Sequence, residues 1–177
     1  STPHMRRRQQ TIVETDITGL AFGGKGIARI DGLAVFVERT VPGDRARIRI
    51  TRKKRNYAEA RLEEILAPSA DRVAAPCRYC GICGGCTWQF LRYEKQLEYK
   101  RQHVAESLEH IGAITGVPVH ATLASPVLFG YRNKMEFTCT DRRWLLPEEM
   151  LQPGAENDFA IGLHVPGTFH KVIDTAE

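Results

Sequence analysis

Four of the five cysteines in this 177-residue chain fall within ten residues, Cys77-Arg78-Tyr79-Cys80-Gly81-Ile82-Cys83-Gly84-Gly85-Cys86, and Thr87-Trp88-Gln89-Phe90 follows at once. Thiolates repel one another and react, so a run this dense calls for a positive centre that takes up their charge. Gly81, Gly84 and Gly85 permit the tight backbone that turns sulfurs from a short loop toward one point. Three chemistries compete. Disulfides fit poorly with an odd cysteine count and no secretory signal. Structural zinc usually takes two C-x2-C knuckles separated by a longer spacer, so zinc on Cys77, Cys80, Cys83 and Cys86 is the alternative reading. Consecutive C-x2-C steps are closer to the compressed ligand runs of iron-sulfur clusters, which is the preferred reading. The fifth cysteine, Cys139, alternates with Met135 and Phe137 and is expected to be a core thiol.

The second chemistry is electrostatic. The chain carries a net charge of +4, but from Arg6 to Arg72 there are 15 Lys and Arg against 9 Asp and Glu, and from Val73 onward 10 against 12. A basic first third attracts polyanions, because each neutralised phosphate releases condensed counterions. Lys25, Arg47, Arg49, Lys53, Lys54 and Arg55 are the candidate nucleic-acid contacts there, with Arg132 and Lys134 further on. Gly19-x4-Gly24-Lys25-Gly26 imitates a P-loop but lacks its Ser or Thr, and a β pattern follows where a helix is needed. Its glycines are read as a tight strand connection, with Lys25 available to a phosphate.

The elements that must position these residues are mainly β with some α. Thr11-Ile12-Val13 with Asp16-Ile17, Ile27 to Ile30, Leu33 to Val37, Arg45 to Thr51 and Tyr57 to Leu66 read as short strands. Asp31-Gly32 is a hairpin signal and Val41-Pro42-Gly43-Asp44 a second turn. In Arg45-Ala46-Arg47-Ile48-Arg49-Ile50 the basic and apolar residues alternate, so Arg45, Arg47 and Arg49 share the face away from the core. Five short strands closing on themselves make an OB-like barrel, a shape that removes edges and often binds single-stranded nucleic acid. A Pro-containing boundary at residues 68–76 precedes the cysteine loop. Phe90, Tyr93, Leu97, Val104, Leu108 and Ile111 then mark an apolar helical stripe ending near Gly112, with His103 and His110 expected at the surface. Ile114 to Ala124 is expected to be extended. Strands over 131–139, 159–165 and 169–173 complete an antiparallel sheet around a Pro166-Gly167 turn. No apolar run reaches the roughly 18 to 20 residues of a membrane span.

Cys77-x5-Cys83-x2-Cys86 with Gly84-Gly85, an aromatic and Gln89, then Tyr93-x2-Gln96-Leu97-x2-Lys100, resembles the bacterial RNA uracil-C5 methyltransferases that carry a four-iron cluster. Gly24-x-Gly26-Ile27-Ala28, Phe36-Val37, Val41-Pro42-Gly43-Asp44 and Tyr131-Arg132-Asn133-Lys134 extend the resemblance over nearly the whole chain. It implies that 6–72 is a TRAM RNA-binding barrel, 73–92 the iron-sulfur loop, 93–124 a helix and connector, and 125–177 a truncated antiparallel sheet, with 1–5 an expression scar. It implies a 4Fe-4S cluster on Cys77, Cys83 and Cys86. The fourth family ligand is a cysteine beyond a strand like Lys171-Val172-Ile173-Asp174, and none stands there, so either Cys80 substitutes or one corner is weak. Arg132 and Lys134 resemble the segment that contacts RNA near the target base. The nucleophilic cysteine, the carboxylate base and the S-adenosylmethionine site are not found, so the resemblance implies an inactive N-terminal part of a larger enzyme. Its expected partners are RNA, ribosomal by the resemblance, and its own methyltransferase domain, as a cytoplasmic monomer. A free-standing RNA-binding or redox-sensing module is the alternative.

Overall fold

A computed structural model describes residues 11–175; the expected scar and Arg6 to Arg8 lie outside the described residues. The chain divides into two compact units, each built from discontinuous segments. One holds the residues up to Val73 together with Phe90–Thr122, the other Ala74–Gln89 and the residues from Leu123 onward.

The first unit contains six strands: β1 (Ile12–Asp16), β2 (Gly19–Leu20), β3 (Gly26–Ile30), β4 (Leu33–Val37), β5 (Arg45–Lys53) and β6 (Tyr57–Ala67). Their order across the sheet is β1-β5-β6-β4-β3-β2. β1 and β2 follow one another in the chain yet occupy opposite ends of that order. The stretch from Ile12 to Leu20 is thus one strand that bends at Ile17-Thr18. There the Ile17 amide donates to the Asp44 carbonyl at 2.8 Å and the Thr18 amide to the Ile27 carbonyl at 2.8 Å. This wraps the sheet into the expected five-strand barrel, and the β4–β6 link is its parallel pairing.

Local chemistry explains the turns. Asp31 (φ 50°) and Gly32 (φ 78°) hold the left-handed conformations that a two-residue hairpin requires between β3 and β4. β5 alternates as its sequence says: Ala46 and Ile48 are fully buried with Ile17, Ala28, Val35, Val37, Ala58 and Ala60, while the arginines face outward. Register shifts along β5 bend the long β5–β6 ribbon around this core. Gly26 is buried, and a Cβ there would collide with the Thr40 hydroxyl, so close packing demands this glycine. Asp44 is fully buried and anchors the β4–β5 turn to the exit of the barrel. Its carboxylate accepts from the Val41 amide (2.7 Å), the Ser69 amide (2.8 Å) and Arg72 Nε (3.1 Å) and Nη2 (2.6 Å). The Arg72 guanidinium also lies over the Phe90 ring at 5.2 Å.

α1 (Tyr93–Glu106) follows and runs into a π-helical turn, Ser107–Ile111. His103, expected at the surface, is buried instead: its Nε2–H donates to the Leu20 carbonyl at 2.8 Å. The stripe periodicity is apolar and misses this, because the barrel offers the helix a backbone carbonyl, which takes a donor. Phe90 and Leu91 are buried, but Val104 and Ile111 at the far end of the stripe are exposed. Residues 114–124 contain no strand. The stretch is held by Arg101 Nε donating to the Val119 carbonyl (2.8 Å) and Thr122 Oγ1 to the Leu97 carbonyl (2.9 Å).

The second unit contains β7 (Thr138–Thr140), β8 (Ala160–His164) and β9 (Val172–Asp174), antiparallel in that order. The Pro166-Gly167 turn stands where the sequence places it, with Gly167 at φ 73°. Ala160, Val172, Ile173 and Leu146 are its buried apolar residues. The strand expected over 131–139 shrinks to three residues, and Met135, Phe137 and Cys139 are all exposed. Cys139 pairs with Ile161, which is itself exposed, whereas Thr140 pairs with the buried Ala160. The inward face of β7 is one residue out of step with the expected one, and with period two that slip turns Cys139 to the outside.

Candidate cysteine centre and basic surfaces

The cysteine loop belongs to the second unit, and two tight turns shape it. The Cys80 amide donates to the Cys77 carbonyl (3.1 Å), and the Ile82 and Cys83 amides both donate to the Tyr79 carbonyl (3.0 and 2.9 Å). Gly81 has φ 84°, so here the glycine does supply the left-handed turn. Gly84 and Gly85 serve differently. The Gly84 amide donates to the His164 carbonyl at 3.0 Å, and a Cβ on Gly84 would stand 3.2 Å from that oxygen. A Cβ on Gly85 would meet Leu163 Cδ1 at 3.2 Å and Cys83 Sγ at 3.3 Å. Both glycines let the loop lie directly on β8.

All four loop sulfurs are free thiols, with Cys77, Cys80 and Cys83 half-buried and Cys86 exposed. Burial pushes the Cys80 thiol up, reinforced by the neighbouring Cys86, Cys77 and Cys83 and opposed by a hydrogen bond from the Gln89 backbone amide. Burial also pushes Cys83 up, against the opposing amide of Gly85, which donates to Cys83 Sγ at 3.2 Å. A third donor, Gln89 Nε2, reaches Cys86 Sγ at 3.0 Å. Among the described residues no group of three or more His, Cys, Asp or Glu is arranged to hold a single metal ion. Zinc would need its sulfurs at about 2.3 Å from one point. A polynuclear cluster spreads its ligands over several metal atoms, and the donor set here suits it: soft thiols crowded in one loop, with N–H groups aimed at three of the sulfurs, Cys80, Cys83 and Cys86.

Beside the loop lies an open cleft of about 520 Å³, lined among others by Gly84, Gly85, Arg132, Lys134, His164 and Phe169. Arg132 Nη1 approaches Met135 Sδ at 3.7 Å, and Lys134 pairs with Glu136 at 3.3 Å, both highly exposed. The Phe169 ring is 94% exposed. His164 Nε2 and the Thr138 hydroxyl are 2.8 Å apart, while His164 Nδ1 is buried without a partner. His164 is not among the residues that the sequence singles out, because its place in the cleft lining depends on the β8 register.

On the barrel the structure separates the expected contacts into two groups. Arg47 pairs with Glu64 and Glu14, Arg49 with Glu63 through two bonds (2.8 and 3.1 Å), and Lys25 with Glu38 at 3.3 Å. Their charge is largely shared with neighbouring acids, on adjacent strands for Arg47 and Arg49 and just beyond β4 for Lys25. Lys53, Lys54 and Arg55, at the β5–β6 turn, are exposed and form no ion pair among the described residues. A periodicity argument could place Arg47 and Arg49 on the outer face; it could not see that β6 puts Glu64 opposite Arg47 and Glu63 within reach of Arg49.

Residues 6–62 match the TRAM domain model. The chain carries a TRAM domain. The segment beyond the TRAM barrel is covered by whole-chain similarity. A protein of Porphyromonas gingivalis named as an uncharacterized RNA methyltransferase is 39% identical over 168 residues, 92% of this chain and 36% of that protein. Another so named, from Chlorobaculum tepidum, is 42% identical over 96% of this chain and 36% of its own length. A third, from Synechocystis, is 45% identical over 73% of this chain and 28% of its own. The chain thus spans about a third of the length of the curated relatives it matches. No described helix is long and apolar enough to cross a membrane.

Proposed function

We propose that this chain is the RNA-binding, cluster-bearing part of an S-adenosylmethionine-dependent RNA uridine C5 methyltransferase acting on ribosomal RNA, with the methyl-transfer machinery outside it. The observation that carries the proposal is the juxtaposition, within one unit, of the four-cysteine loop and the cleft lined by Arg132 and Lys134. The similarity to RNA methyltransferases across both units supports it. Cys77, Cys83 and Cys86 would hold a four-iron cluster, with Cys80 as the candidate for the remaining corner. When bound, such a cluster would supply a rigid crosslink among thiolates that otherwise repel one another.

The chain's own residues grip and orient RNA. Lys53, Lys54 and Arg55 on the TRAM barrel offer uncompensated charge to backbone phosphates, with Lys25, Arg47 and Arg49 weakened by their acidic partners. Arg132 has a planar guanidinium that can bridge a phosphate or stack on an unstacked base, and Lys134 adds a point charge beside it. The test uses the full-length parent protein, a ribosomal RNA transcript and methyl-labelled S-adenosylmethionine, with nucleoside mass spectrometry of the product. Label in 5-methyluridine is expected, and Arg132→Ala should lower RNA turnover while leaving S-adenosylmethionine affinity unchanged. Label only in another nucleoside would overturn the assignment.

A further inference from the structure

The strongest unassigned feature is the side chain of Gln89, three residues past the last loop cysteine. Its Oε1 accepts from the Cys77 amide at 3.2 Å, and its Nε2 donates to Cys86 Sγ at 3.0 Å. One carboxamide therefore ties the first cysteine of the run to the last. We infer that Gln89 is a positioning residue for the metal centre, which closes the cysteine loop through its carbonyl and sets the electron affinity of the centre through its N–H on Cys86. The inference rests on the cluster reading proposed above.

The two ends of the carboxamide do different things. The carbonyl satisfies a backbone amide at the entrance to the loop and so fixes the distance between Cys77 and Cys86. The N–H places positive dipole on a thiolate. When the cluster takes up one electron its net negative charge grows, and a donor on a ligand sulfur stabilises the reduced state more than the oxidised one. The Gly85 amide on Cys83 does the same from the backbone, where no side-chain substitution reaches it. The Gln89 backbone amide on Cys80 is likewise out of reach, so the Gln89 carboxamide is the donor that a substitution can alter without moving the main chain.

Gln89→Glu separates the two roles, because a carboxylate still accepts from the Cys77 amide but repels the Cys86 thiolate. Gln89→Met keeps the length and removes both. Protein prepared without oxygen is assayed for iron and sulfide, then titrated with dithionite, whose S–S bond splits to two SO2 radical anions that each give one electron to a cluster and leave as sulfite. Gln89→Glu is expected to hold iron as the wild type does and to reduce at a lower potential. A tenfold loss in the reduction equilibrium reads as 59 mV for one electron. Gln89→Met is expected to lose iron faster. An unchanged potential in an iron-replete Gln89→Glu protein would overturn the inference while leaving the cluster in place; a wild type without iron or sulfide would overturn both. Should neither variant take up iron, the reduced wild type labelled with ¹⁵N at glutamine side chains decides, since pulsed electron paramagnetic resonance should show a coupled ¹⁵N, and its absence would refute the contact.

Discussion

Replacing Asp44 by Ala removes one carboxylate that four donors converge on. The change leaves the Val41 and Ser69 amides and the Arg72 guanidinium without their acceptor, in a place where Asp44 itself has no exposure. Breaking a buried ion pair by removing one partner costs about 3–5 kcal/mol. The Arg72 side chain keeps 21% exposure, so water can partly re-solvate it and the lower end of that range applies. Against a typical domain stability of roughly 5–15 kcal/mol, about 3 kcal/mol is a large share. Urea unfolding followed by far-ultraviolet circular dichroism should show a lower midpoint with an unchanged slope. The pH dependence carries the same sign. Burial raises the Asp44 carboxyl, but its hydrogen bonds from Arg72, Ser69 and Val41 more than reverse this, so its pKa is lowered below the ordinary 3.8. A depressed carboxyl contributes stability that is fully present above the unfolded value and lost as pH falls through the folded one. The wild type should therefore lose more stability than Asp44→Ala on acidification below about pH 4. A loss under about 1 kcal/mol at neutral pH, or parallel acid profiles, would refute the role given to this carboxylate.

Removing Lys53, Lys54 and Arg55 together should weaken RNA binding and reduce the log-log salt slope by about 2, since each single-strand phosphate contact contributes roughly 0.7; titrations at several salt concentrations read it, and an unchanged slope would place the RNA elsewhere. Arg47→Gln should change the slope far less, because its charge is already shared with Glu14 and Glu64. Gly162→Ala should disrupt the β8–β9 hairpin, since its Cβ would collide with the Ile173 carbonyl; amide exchange should rise across β7 to β9 while the barrel core stays protected, and uniform exchange would contradict the division into two units.

The barrel was legible because its signals are local: Asp31-Gly32 demands its hairpin, and the alternation in β5 demands its faces. The bend at Ile17-Thr18 was not, because it follows from closing the sheet and has no residue signature. Likewise His103 reads as a surface residue until a carbonyl 83 positions away meets it. In the second unit the alternation of Met135, Phe137 and Cys139 suggested an inward face, but pairing with β8 sets the register, and that is non-local. The cysteine run was plain in the sequence; the carboxamide that ties its ends was visible only as a residue in a motif.

The proposed polynuclear iron centre on Cys77, Cys83 and Cys86 can be tested by metal analysis. Iron, acid-labile sulfide and zinc should be measured on anaerobically prepared wild type and on Cys83→Ser and Cys80→Ser variants. Iron with matching sulfide is expected in the wild type and should be lost in Cys83→Ser. Retention in Cys80→Ser would make Cys80 a bystander, and loss there would make it the ligand of the fourth corner. Stoichiometric zinc without sulfide, abolished by Cys80→Ser, would contradict the proposed iron centre.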